Sequence, residues 1–139
     1  MKKVILFLFT SMFILACSSD DNNTDDDVGG SLLSSRLGVW EGTGTQPGLS
    51  WTIKITLNSG EQLIEYPSLG CGGILTLVSE SSTELLFRET ITVQTTCFDQ
   101  GFVKLTATSA TTMDYDWYYP DAANEVGELG ATGTVTKTQ

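Results

Sequence analysis

An all-β fold is what this chain predicts: a small antiparallel up-and-down β-barrel of about eight strands, with a two-sheet β-sandwich as the alternative. Three observations lead there. From Leu37 onward apolar residues recur with period two and not 3.6, the mark of half-buried strands. Turn residues interrupt that alternation at intervals of roughly 8–15 residues. Each segment has one apolar and one polar face, so the sheet must close or fold on itself to hide the apolar side.

The elements follow in order. A short helical turn is expected near Ser31 to Arg36. Gly38-Val39-Trp40-Glu41-Gly42 opens the first strand. Trp51, Ile53, Ile55 and Leu57 alternate with Thr52, Lys54 and Thr56, and Asn58-Ser59-Gly60 then turns the chain. Leu63 to Tyr66 is a short strand ended by Pro67, which cannot donate to a ladder. Leu75 and Leu77 flank Thr76. Leu85, Phe87, Glu89, Ile91 and Val93 share one face of a longer strand. Asp99-Gln100-Gly101 is a hairpin turn signal. Val103 and Leu105 oppose Lys104 and Thr106; Met113, Tyr115 and Trp117 oppose Asp114 and Asp116. Pro120 to Gly127 is looser and leads to a last strand ending at Val135 or Lys137. Abundant threonine suits the solvent-facing positions.

The N-terminus sets the compartment. Lys2 and Lys3 precede an apolar stretch from Val4 to Ala16, and Ala16 stands directly before Cys17. This is a secretory signal with a cleavage site. It falls short of the roughly 20 apolar residues of a spanning helix. Ile14-Leu15-Ala16-Cys17 resembles a bacterial lipoprotein signal. The resemblance implies cleavage before Cys17, lipidation of its sulfur and acylation of the new amino terminus; cleavage elsewhere is the alternative. The division is then residues 1–16 as signal peptide, 17–35 as lipidated cysteine and flexible acidic tether, and 36–139 as the barrel. The stretch Ser18 to Asp27 has five aspartates and no hydrophobe, so it cannot bury a core. Cys17-Ser18-Ser19-Asp20-Asp21 also resembles the acidic export signals of some Gram-negative surface lipoproteins. The expected location is the bacterial outer membrane, lipid-anchored and surface-exposed, with the periplasmic face as alternative.

Charge and cysteines exclude several classes. The net charge of −10 becomes −12 once Lys2 and Lys3 are cleaved away. Arg36, Lys54, Arg88, Lys104 and Lys137 are scattered, so nucleic acid is not an expected partner. Basic partners are charge-compatible. Cys71 and Cys97 are an even pair in an exported chain, which favours a disulfide; two buried free thiols are the alternative. The chain has no histidine, and two cysteines fall short of a four-coordinate zinc site, so neither metal nor cofactor is expected.

Two resemblances bear on the folded part. Gly38-x-Trp40 is similar to the opening of calycins, the lipocalins and their small relatives. It implies a tryptophan closing one barrel end beneath a basic side chain, here Lys137 or Arg36. A core tryptophan of any β fold is the plainer reading. Tyr66-Pro67-Ser68-Leu69-Gly70-Cys71-Gly72-Gly73, Phe87-Arg88-Glu89-Thr90-Ile91, Cys97 and Gly101 together resemble a small bacterial extracytoplasmic domain. That implies a compact disulfide-linked β domain and carries no activity with it.

Glu89 is the odd residue, because alternation turns a carboxylate inward among Leu85, Phe87, Ile91 and Val93. A buried carboxylate is costly unless hydrogen-bonded. Two readings compete: a structural hydrogen bond, or a polar anchor in a ligand pocket lined by Trp51, Tyr66, Tyr115 and Trp117. Asp114 and Asp116 read as a solvated face, and Tyr118, Tyr119 and Pro120 as a candidate aromatic rim. No residues are assigned to catalysis, since the chain offers no histidine base, nucleophile elbow or phosphate loop. The expectation is a monomeric, non-enzymatic binding lipoprotein for a small apolar ligand. A protein-interaction or inhibitor module for a basic protein such as lysozyme is the alternative, with Tyr66 to Gly73 as its exposed loop.

Overall fold

The computed structural model describes residues 30–93 and 96–139. The signal segment, the candidate lipidation site Cys17 and the acidic stretch to Gly29 lie outside the described residues. A four-residue helix, α1 (Leu32–Ser35), precedes eight strands: β1 (Gly38–Gln46), β2 (Leu49–Leu57), β3 (Gln62–Tyr66), β4 (Cys71–Glu80), β5 (Glu84–Val93), β6 (Phe102–Ala107), β7 (Thr112–Pro120) and β8 (Val126–Lys137). Each strand pairs antiparallel with the next, and β8 returns to β1 to close the barrel. That closure decides against the sandwich. It also leaves neither end of the sheet as an unpaired edge.

Alternation works as the sequence leads one to expect. Ile53, Ile55 and Leu57 on β2, Leu85 and Phe87 on β5, Val103 and Leu105 on β6, and Met113 and Tyr115 on β7 are all buried inside. Thr52, Glu65 and Asp114 face outward and are exposed. Lys104 bridges Asp116 at 3.3 Å across the β6–β7 register, so Asp116 belongs to the outer wall. Pro47-Gly48 joins β1 to β2 in two residues, with Gly48 at φ +81°. That is the third position of a type II turn, where glycine is favoured after proline. This hairpin signal is the one the strand pattern alone passes over.

Alternation fails at the barrel rim. Val93 was expected inside with Leu85 and Phe87 but is 61% exposed. β5 runs past the rim here, opposite a register shift at Gly72–Gly73, so the inner face no longer exists at that position. The turn signal at Asp99 to Gly101 marks the end of a longer connection. Asp99 Oδ1 accepts from the backbone N–H groups of Ile91 and Gln100, which ties the connection back to β5.

The two barrel ends differ. At one end Trp40 is fully buried, its indole N–H donating to the Arg36 carbonyl at 2.8 Å. The Lys137 ammonium lies 5.7 Å from its ring centroid. Lys137 therefore supplies the cation, while Arg36 supplies its backbone and donates its guanidinium to the Ser109 carbonyl. Leu32 and Leu33 of α1 pack against the same core. Trp40, the isoleucines of β2, Ile64, Leu75, Leu85, Phe87, Leu105, Met113 and Val135 form that core. The other end carries the β1–β2, β3–β4, β5–β6 and β7–β8 connections, and it holds the site.

Candidate functional site

Glu89 is 1% exposed and points into the barrel from β5. Its Oε1 accepts from the Tyr66 hydroxyl at 2.5 Å and its Oε2 from the Trp117 indole N–H at 2.9 Å. The Tyr115 hydroxyl lies 3.1 Å from that of Tyr66. Tyr66 spends its proton on the carboxylate, so Tyr115 must be the donor to Tyr66. β3, β5 and β7 thus contribute one chain of bonds, from Tyr115 through Tyr66 to Glu89, with Trp117 closing the far side. Each donor to the carboxylate is neutral.

Small residues make this arrangement possible. Gly101 lies opposite Glu89, accepting its backbone N–H at 2.9 Å. A Cβ at position 101 would stand 2.3 Å from Trp117 Cζ2, so the absence of a side chain is what gives the indole its slot. Gly44 on β1 does the same for Trp51, whose Cε2 would lie 2.8 Å from a Cβ there. Trp51 itself is buried, and its indole N–H has no hydrogen-bond partner among the described residues.

Above this layer lies a cavity of about 300 Å³. Trp51, Tyr66, Glu89, Tyr115 and Trp117 all line it, so the structure brings together the five residues singled out from alternation. It adds Gln46 and Leu49 from the β1–β2 hairpin, Leu69 from the β3–β4 turn, Thr96, Cys97 and Phe98 from the β5–β6 connection, and Tyr119. Phe98, Trp117 and Tyr119 meet edge to face with centroids 4.7–5.6 Å apart, a geometry aromatic rings favour. The alternation does not point to Phe98, because a loop has no periodicity to reveal a side chain at the cavity mouth. Its position directly after Cys97 was the available signal. Of the expected aromatic rim, Tyr119 reaches the cavity, whereas Tyr118 sits on the outer wall near Lys104.

The cavity mouth is braced covalently. Cys71 and Cys97 form a disulfide, with Cα atoms 6.3 Å apart. It links the start of β4 to the loop that carries Phe98. On the facing side, Ser68 Oγ accepts from Thr52 N, and Thr52 Oγ1 accepts from Ser68 N. This reciprocal pair pins the Tyr66 to Cys71 turn against β2.

Burial pushes the Glu89 carboxyl above the usual carboxylate range; the bonds from Tyr66 and Trp117 pull it back in part, and the charge of Asp99 adds to the rise. Burial likewise drives the hydroxyls of Tyr66 and Tyr115 above the ordinary phenol range. Both tyrosines therefore stay protonated and act as donors. Among the described residues no three histidine, cysteine, aspartate or glutamate side chains converge in a way that could hold a metal ion. Chemically, the site offers a carboxylate in an aromatic enclosure. Asp114 and Asp116 lie outside it, so Glu89 has no second carboxylate facing it across the described lining.

No family model, curated protein or solved structure matches this chain. The functional reading rests on the site itself.

Proposed function

We propose that this protein is a lipoprotein of the bacterial outer membrane, anchored through Cys17 and exposed at the surface, whose barrel is a non-enzymatic, lipocalin-like binding domain for a small apolar ligand. The single observation that carries the binding reading is the cavity over Glu89, an aromatic-walled space at one end of a barrel whose other end is filled and capped. Few polar groups converging within an apolar lining are the usual make-up of small-molecule sites. The capped end supports the lipocalin-like part of the reading, since Trp40, Lys137 and α1 stand where the Gly-x-Trp resemblance expects a closing cluster. The anchor reading is supported by Ala16-Cys17 after an apolar run, and surface display by the aspartates that follow.

Native mass spectrometry of the full chain purified from its own host tests the binding reading. A co-purifying small molecule, lost in Glu89→Ala, is the expected result. A bare mass would move weight to the second reading, docking of a protein partner. That reading is favoured by the exposed apolar side chains of Leu49 and Phe98 at the mouth.

A further inference from the structure

The binding reading leaves the ligand's chemistry open, and the charge pattern of the cavity narrows it. Glu89 is the only charged side chain among the described residues of the lining. Arg88, its neighbour in sequence, belongs to the outer wall. Its guanidinium stacks on Phe102 at 4.5 Å and donates to Gln100 and Asn124. Among the described residues the carboxylate is therefore met by two neutral donors and by no cation. A carboxylate has about four acceptor sites, and the described residues fill two of them. A buried charge without a counter-ion is costly, and a ligand that brings the counter-ion recovers part of that cost.

The surroundings favour the same ligand. Trp51, Tyr66, Phe98, Tyr115, Trp117 and Tyr119 enclose the space, and aromatic faces attract a desolvated cation. The net charge of −10 raises the local concentration of cations around the molecule. An anionic amphiphile such as a fatty carboxylate is disfavoured, because its head would sit beside Glu89 with no basic side chain in the described lining to neutralise it. The cavity's volume of about 300 Å³ lies at the small end of ligand sites, which run from about 300 to 1,000 Å³. That suits a one-ring molecule better than a long chain.

Resting on the binding reading, we propose that the cavity takes a small organic ammonium ion: a primary or secondary amine carrying one aromatic or compact apolar group. Its N–H groups bond the Glu89 carboxylate, and its apolar body lies against the aromatic wall.

Tryptophan fluorescence of the full chain in detergent micelles tests this, with titrations of phenethylamine, phenethyl alcohol and 3-phenylpropionate at neutral pH. The three probes share a ring and differ in charge. The expected result is an affinity for the amine about tenfold or more above that for the alcohol, with the propionate weakest. Glu89→Gln removes the amine's advantage over the alcohol. Equal affinity for amine and alcohol, or tightest binding of the propionate, overturns the cation inference and leaves the binding reading standing. No saturable change with any probe overturns both. The wild-type comparison needs no variant, so it decides the matter even where Glu89→Gln does not fold.

Discussion

Replacing Glu89 by leucine and, separately, by glutamine distinguishes the hydrogen-bond chain from the charge. In Glu89→Gln the amide oxygen can accept from Trp117 and the amide nitrogen can donate to Tyr66. Tyr66 then donates to Tyr115, since the 3.1 Å contact between the two hydroxyls can run in either direction. The substitution exchanges charge-assisted bonds for neutral ones and removes the cost of a buried charge, so the net change is about 1 kcal/mol or less. In Glu89→Leu, Tyr66 still has Tyr115, but the N–H of the largely buried Trp117 indole loses its acceptor. An unmet buried donor costs about 1–3 kcal/mol, so the leucine variant should be less stable than the glutamine variant by about that amount.

The pH dependence has a definite sign. Glu89 holds its proton more tightly in the folded state, because burial raises its pKa. Its stabilising contribution is therefore full below the unfolded pKa, about 4.3 for a glutamate, and is lost as pH rises through the higher folded value. The tyrosines facing it, Tyr66 and Tyr115, stay neutral throughout. Asp99 is held low, chiefly by the Ile91 N–H, so its own slope has the opposite sign. Arg88 lies on the outer wall. Subtracting the Glu89→Gln curve from wild type isolates the Glu89 contribution. The assay is urea unfolding followed by tryptophan fluorescence, under non-reducing conditions, from about pH 4 to 8. A leucine variant as stable as the glutamine variant, or a wild-type minus Glu89→Gln difference that rises with pH, would refute the reasoning.

Other consequences are equally open to test. Gly101→Ala places a Cβ against the Trp117 indole, and such overpacking should destabilise by about 1–3 kcal/mol in urea titrations. Reducing Cys71–Cys97, or replacing both with alanine, opens a crosslink spanning 26 residues; chain entropy puts the loss near 3.5 kcal/mol, readable as a shift in the urea midpoint. Cys17→Ser should move the protein from the membrane to the soluble fraction on cell fractionation, since stable anchoring needs more than one acyl chain. Continued membrane retention of that variant would contradict the anchor reading.

How much was legible in the sequence depended on where each residue lies. The strict alternation of Trp51 to Leu57 and of Met113 to Trp117 placed the inward tryptophans and Tyr115, because these segments stay within the closed sheet. Glu89 was conspicuous for the same reason, as a carboxylate on an apolar stripe. Tyr66 and Trp117 were named beside it, but which bond each makes was not legible, because they stand 23 and 28 residues away along the chain, and only barrel closure brings three strands to one point. Val93 misled because period two holds only while a strand has a sheet to face. Phe98 escaped because its direction is set by the disulfide and by edge-to-face packing on Trp117 and Tyr119, neither of which leaves a periodic trace. The choice between Lys137 and Arg36 over Trp40 turned on the β1–β8 pairing that sets Trp40 opposite Lys137, a long-range register that no local pattern encodes.

The most direct test of the cavity uses the three tryptophans themselves. Each indole N–H gives its own signal in a proton–nitrogen correlation spectrum. Trp51 and Trp117 line the cavity, whereas Trp40 is sealed at the opposite end. Titration with phenethylamine should shift the Trp51 and Trp117 signals saturably and leave Trp40 in place. Signals that stay fixed, or a shift confined to Trp40, would contradict a binding site over Glu89.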